Sequence, residues 1–312
     1  MGAEGVGWTA LVISLFTGAT YSAFAKPLTA TLSPLSLLFV SEMLLLMFVL
    51  LSFGTVPTVK AALRLEKRYV LPMIATGIFS SIIGPLFWFV GLKMTTAVNA
   101  NLLAKVDIVV MLILARIFLG EHLTRQQIFA VGTVLAGLLV VSAHDVANGM
   151  IFHFYDLMIL LSVTSFAMGS IIFRKYLCDV PPHLALFVRA VTALVVFFLL
   201  SPFVTTPFID EVRSLPFALL PALIGFGFIS RFLNVFAYYE AVDRLPVTSI
   251  SMFLTLDVIV STVFARIYLG EALGWHHVFA ALLIVLGNAL LHFFGKQTHT
   301  IHTVPHPVQE KI

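Results

Sequence analysis

The 312-residue chain is 60% apolar and only 11% charged, with a net charge of +3 and a mean hydropathy of +1.05. A soluble domain carries about 45–50% apolar and about 25% charged residues, so these values exclude a water-soluble globular fold. They fit helices in a bilayer, which need about 20 mostly apolar residues and must satisfy every backbone group internally; loop topology accounts for the small positive charge, which gives no ground for nucleic-acid binding.

Apolar runs between polar or Pro/Gly breaks predict ten spans: 7–25, 34–54, 70–91, 95–119, 126–143, 152–173, 183–201, 215–241, 246–269 and 276–294. The first run lacks a basic leader and a small-x-small cleavage site, so it reads as a retained span. Breaks as short as Lys93–Thr95 and Asp243–Pro246 make consecutive helices antiparallel neighbours in one all-α integral membrane bundle. With both termini cytosolic, eleven basic residues fall inside (Lys60, Arg64, Lys67, Arg68, Arg116, Arg125, Arg174, Lys175, Arg244, Lys296 and Lys311) against four outside (Lys26, Lys93, Arg213 and Arg266). The positive-inside rule therefore favours cytosolic termini. The single cysteine, Cys178, falls in a cytosolic loop, which suits a reduced thiol. Past Phe294 the chain becomes a polar tail, 296–312, whose His299, His302 and His306 read as solvated residues rather than a metal site.

Sliding the chain on itself by 150 residues matches Asp107–Glu121 with Asp257–Glu271, and eleven of the 24 positions from Asp107 to Ala130 are identical. Two unrelated apolar helices share roughly two or three. Gly77 and Gly227, and Gly137 and Gly287, extend the match, and a shift of 148 aligns Pro34–Val40 with Pro182–Val188. The expected organisation is a first five-helix repeat at 1–146 and a second at 147–295. Five is odd, so the second copy enters the membrane from the opposite side, and ten transmembrane helices form two inverted five-helix repeats. Two such halves can close either side of a central cavity at similar energy, which is the basis of alternating access.

Each half contains an aromatic-rich helix end, a short loop, a small-residue start and a helix closing in Leu-Gly-Glu: Phe87–Ala97 leading to Leu119-Gly120-Glu121, and Tyr238–Val242 leading to Leu269-Gly270-Glu271. On these motifs the chain resembles the drug/metabolite transporter superfamily, in particular its EamA-type members. The second-helix arginine of that family matches Arg189, while the first half carries Ser41 followed by Glu42. The family proline thirteen residues before the motif glutamate is replaced by Ile108 and Val258, next to Asp107 and Asp257. The resemblance implies secondary transport, with helices one to four and six to nine around the substrate cavity. No Gly-x-x-x-x-Gly-Lys-Ser/Thr loop is present to bind ATP, and no cofactor is expected. The expected membrane is the bacterial inner (plasma) membrane.

Glu42, Lys105, Asp107, Arg189, Arg231 and Asp257 fall well inside apolar runs. Each costs roughly 2.5–3.5 kcal/mol facing lipid at a helix centre, so each must pair or face a wet cavity. Asp107 and Asp257 occupy equivalent positions in the repeats, and their protonation can respond to substrate. Lys105 lies about 200° around the helix from Asp107, so the two cannot face one cavity. Asn101 is one turn from Lys105, a polar face that could hold a carboxylate or phosphate. Lysine on this helix also resembles the anion-binding lysine of the sugar-phosphate branch of the superfamily. Arg231 can bind substrate or pair with Glu42. Gly84-Pro85 should kink the third span, where the eighth has Val235 instead of proline. Trp88 and Tyr239 are expected cavity walls, and Trp8 and Trp275 interfacial anchors. Glu121 and Glu271 are expected to find structural partners in Arg116 and Arg266 one turn earlier.

The function expected is transport of a small metabolite, an amino acid or amphipathic compound, exported with coupling to protons. The alternatives are an antiporter of phosphorylated or carboxylated metabolites and a non-transporting membrane scaffold or sensor. No intramembrane enzyme motif is present. Expected partners are the small-molecule substrate, protons, membrane lipids and, as a further candidate, a second copy of the chain.

Overall fold

A computed structural model describes residues 3–107, 109–110, 113–114, 117, 124–147, 154–177, 179–201, 208–245, 250, 253–254 and 256–295. The elements among them are helices: α1 (Ala3–Ala19), α2 (Tyr21–Thr29), α3 (Pro34–Phe53), α4 (Thr55–Leu63), α5 (Lys67–Gly77), α6 (Gly84–Met94), α7 (Ala97–Leu103), α8 (Arg125–Ala147), α9 (Phe154–Tyr176), α10 (Pro182–Leu200), α11 (Phe208–Arg213), α12 (Leu220–Gly225), α13 (Asn234–Arg244), α14 (Asp257–Leu269) and α15 (Trp275–Gly295). Six continuous segments are long and apolar enough to cross a membrane: Glu4–Thr29, Pro34–Phe53, Lys67–Met94, Phe154–Phe173, Pro182–Leu200 and Phe217–Val242. Arg125–Val140 and Trp275–Leu291 are shorter apolar helices. The expected fourth span is described in part, by α7 and the 3-10 turn Ala104–Val106, and the ninth by α14. Arg116, Glu121, Cys178 and the tail 296–312 lie outside the described residues.

Local chemistry sets the ends of these helices. Pro34 opens α3 at a position that needs no amide donor, and the Ser33 side chain accepts from the Ser36 N–H at 3.3 Å. The chain inverts the soluble pattern: Phe16, Leu51, Leu139, Phe198 and Ile267 are exposed, whereas Ser41, Glu42, Ser81, Asn101, Arg189 and Arg231 are buried. Such a surface is stable only against lipid. Trp8 and Trp275 are exposed near helix ends, as anchors require.

Packing pairs the two halves reciprocally. A Cβ on Gly137 would stand 2.9 Å from the Ala280 carbonyl and 3.0 Å from Ile284, and one on Gly287 would meet the Ala130 carbonyl and Val134. Residues 130 and 280, 134 and 284, and 137 and 287 are all 150 apart. The same exchange occurs where a Cβ on Gly77 would meet Thr192 and one on Gly227 would meet Leu44, positions 148 apart. Ser14 donates to Asn234 Oδ1 at 3.0 Å, and its counterpart Ser162 donates to the carbonyl of Gly84, the counterpart of Asn234, at 2.6 Å. Glycine at these crossings lets the backbones approach, the main source of helix association in lipid.

Both long central spans change pitch midway. Residues Ile78–Ile83 and Phe226–Leu233 are π-helical. The π segment beside Gly84-Pro85 therefore has a partner in the other half, where Val235 stands at the place of Pro85, so that proline alone does not cause it. A π segment misaligns the carbonyl ladder, and Ser165 and Ser162 of α9 donate to the carbonyls of Phe79 and Gly84 at 2.8 and 2.6 Å.

Candidate functional site

The π segments carry the polar centre of the bundle. Arg231 lies in the second of them and forms an ion pair with Glu42 of α3, both buried. Its Nη1 also donates to the Tyr21 hydroxyl at 3.3 Å. Of the two roles expected for Arg231, pairing with Glu42 is the one formed.

Arg189 of α10 occupies the matching crossing. Its Nη1 donates to the Tyr239 hydroxyl at 2.9 Å, its Nε to Ser81 Oγ at 3.3 Å and its Nη2 to the Ser80 carbonyl at 3.3 Å. These acceptors are all neutral. Ser81 and Arg231 are 150 apart, and Ser41 and Arg189 are 148 apart, so the halves place an arginine at equivalent contacts from opposite helices. Only the Arg231 contact also receives an acid, because Glu42 aligns with Ala190. Arg189 is 9% exposed, so its charge sits in a region of low dielectric, held by the dipoles of Tyr239, Ser81 and the Ser80 carbonyl.

A third polar cluster joins the two halves at Lys105 and Asp257. Lys105, in the 3-10 turn after α7, donates to Asp257 Oδ2 at 2.6 Å. Asp107 follows two residues later in the chain, and its charge acts on the same lysine. The helix tightens to a 3-10 turn at Ala104–Val106, so the 3.6-residue period used to place Lys105 and Asp107 does not hold there. Asn101 does not share a face with Lys105 in use, since its Oδ1 accepts from Ser22 of α2 while Lys105 turns to α14.

Aromatic rings pack around these groups: Tyr21 and Tyr239 both bond to the buried arginines. Tyr21 lies edge-on to Trp88 at 5.9 Å and to Phe226 at 5.0 Å, and stacks on Phe89. Trp88 is buried, and its Nε1 has no hydrogen-bond partner among the described residues. Tyr239 stacks on Phe173 at 4.6 Å while its hydroxyl accepts from Arg189, so it orients the guanidinium. Sequence reasoning missed Tyr21, Ser22, Ser80 and Ser81. The available signal was the Ser80-Ser81 pair, which matches Ser230-Arg231 at the 150-residue shift.

The expected pairing of Glu271 with Arg266 is also corrected. Gly270 adopts φ +70° and ends α14, its N–H bonding the Arg266 carbonyl at 3.1 Å. The Arg266 side chain donates to the backbone carbonyls of Gly270 and Glu271. The turn instead carries the Glu271 carboxylate across to the other half, where it accepts from the N–H groups of Ala97 at 2.8 Å and Val98 at 2.9 Å. A carboxylate there satisfies the orphan donors of a starting helix and suits its dipole. Leu269-Gly270-Glu271 is thus a helix stop plus a cap for another helix.

Two family matches cover this whole arrangement. The description of the matching model is EamA-like transporter family, aligned at residues 5–143 and again at 153–293. The chain belongs to the EamA-like transporter family. An uncharacterized transporter, YyaM of Bacillus subtilis (strain 168), is 26% identical over 284 residues, covering 89% of this chain and 90% of that protein. An uncharacterized transporter of Methanothermobacter thermautotrophicus is 20% identical over 236 residues, covering 75% and 67%. A solved crystal structure superposes with a TM-score of 0.66 over 95% of this chain and 98% of the other, at 19% identity, a likeness of fold. The EamA chain is accordingly a membrane transporter, and its relatives are transporters rather than enzymes.

Proposed function

We propose that this EamA transporter moves a small metabolite bearing a carboxylate or phosphate group, an amino or organic acid being the simplest case, by secondary transport. The observation that carries the substrate class is Arg189: a buried guanidinium held by Tyr239, Ser81 and a backbone carbonyl, with no acid among these hydrogen-bond partners. A buried charge is costly until paired, so an entering anion supplies what Glu42 supplies to Arg231. The aromatic wall of Tyr21 and Trp88, with the open Trp88 Nε1 donor, suits a ligand with an apolar body and an acceptor.

Alternating access between two inverted five-helix repeats, 1–146 and 147–295, with ten spans and cytosolic termini in a bacterial inner membrane, fits this site. The reciprocal glycine contacts support it. Proton coupling is favoured by the Lys105–Asp257 pair with Asp107 beside it: protonating an acid there releases a lysine that bridges the halves.

A thermal-shift screen of the detergent-solubilised chain tests the substrate class. Small carboxylates and phosphate esters should raise the melting temperature, amines should not, and Arg189→Gln should remove the response. Stabilisation by cations alone, or an anion response that survives Arg189→Gln, would overturn it.

A further inference from the structure

We infer that Trp88, Asn101 and Tyr21 form a subsite of hydrogen-bond donors that takes an uncharged acceptor of the substrate. The transported anion is then an acid bearing a carbonyl group, such as an N-acylated amino acid, rather than a free amino acid with its ammonium. This rests on the anion reading at Arg189 and adds a second pole to it. Trp88 is 6% exposed and Asn101 7%, yet Nε1 of the first and Nδ2 of the second have no hydrogen-bond partner among the described residues. Both atoms can only donate, and buried donors are almost always paired. An acceptor brought by the substrate completes them.

Helix α2 holds these donors together. The Ser22 hydroxyl donates to Oδ1 of Asn101, which turns the amide so that Nδ2 is its open end. One residue earlier, Tyr21 lies edge-on to Trp88 at 5.9 Å, and its hydroxyl accepts from Arg231 at 3.3 Å. Successive residues are about 100° apart on a helix, so Trp88 and Asn101 meet adjacent sides of α2. Arginine has no acceptor atom, so the Tyr21 hydroxyl receives from Arg231 and keeps its own proton to give. Trp88 also lies about two turns, or about 10 Å, beyond Ser81 on one continuous segment, and Ser81 holds Arg189. The interior acids are already committed: Glu42 pairs with Arg231 and Asp257 with Lys105, and the charge of Asp107 acts on the same lysine. An ammonium group would have to displace a cation from one of them, whereas a carbonyl oxygen meets open donors.

Calorimetric titration of the detergent-solubilised chain with three acids of one carbon skeleton tests this: phenylpropionate, phenylalanine and N-acetylphenylalanine. N-acetylphenylalanine should bind about tenfold more tightly than phenylpropionate, the effect of one or two buried hydrogen bonds, and phenylalanine more weakly than either. Trp88→Phe and Asn101→Leu should each shrink the preference for N-acetylphenylalanine over phenylpropionate to within about threefold. A general loss of stability leaves that ratio alone, since both ligands need the same folded chain. Equal binding of those two acids by the native chain, tightest binding of phenylalanine, or a preference that survives both variants would overturn the subsite. Failure of all three acids while phenethylamine binds would instead overturn the Arg189 reading, and the subsite with it.

Discussion

Arg231 and Arg189 both belong to the second half and stand at symmetry-related helix crossings, yet their surroundings differ. Glu42 neutralises Arg231, and removing one partner of a buried pair strands the other. Glu42→Gln should therefore cost about 3 kcal/mol, read as a lower melting temperature in detergent, while Glu42→Met combined with Arg231→Met should recover most of it. An additive loss in the double variant would contradict the pairing. Arg189→Lys should fold normally but bind anionic ligands at least tenfold more weakly, because an ammonium cannot hold Tyr239, Ser81 and the Ser80 carbonyl in one fork. Equilibrium titration of a stabilising carboxylate against both proteins checks this.

Between elements, glycine decides how closely helices approach. A Cβ on Gly287 would meet the Val134 backbone nitrogen at 2.8 Å and the Ala130 carbonyl at 2.9 Å, atoms that cannot rotate aside, whereas a Cβ on Gly132 would meet nothing within 4 Å. Gly287→Ala should thus destabilise by about 1–3 kcal/mol and Gly132→Ala should be neutral or slightly stabilising, by thermal melting. At the start of α3, the Glu211 carboxylate accepts from the Ser33 N–H at 2.9 Å. Burial raises its pKa, but hydrogen bonds from Ser36 and Ser33 and the charge of Lys93 outweigh this and hold it below the ordinary 4.5. Its contribution is present above that value and lost as pH falls through the lower folded one. Melting curves of the chain and Glu211→Gln should converge as pH drops from about 6 to about 3. Much of this level was legible in the sequence, since apolar runs and the 150-residue match located the helices and the glycine pairs. The π segments and the 3-10 turn at Ala104–Val106 were not, because period-based reading assumes the pitch that these residues abandon. Glu271 was misassigned for a related reason: its partners are backbone amides 173 and 174 residues away in sequence, which no side-chain pattern records.

At the scale of the molecule, two related halves build one interior and then differ at a few polar positions. The ion pairs Glu42–Arg231 and Lys105–Asp257 use up two of the buried cations. In the function proposed above, the acid beside Arg231 and its absence among the hydrogen-bond partners of Arg189 set the preference for an anion, and the repeat supplies two faces to open. Counterflow in proteoliposomes reads both at once: vesicles preloaded with an unlabelled stabilising carboxylate should accumulate its labelled form transiently. Accumulation should be lost in Arg189→Gln and be insensitive to equimolar amines. Equal counterflow in that variant, or counterflow of amines but not of carboxylates, would contradict an anion carried at Arg189.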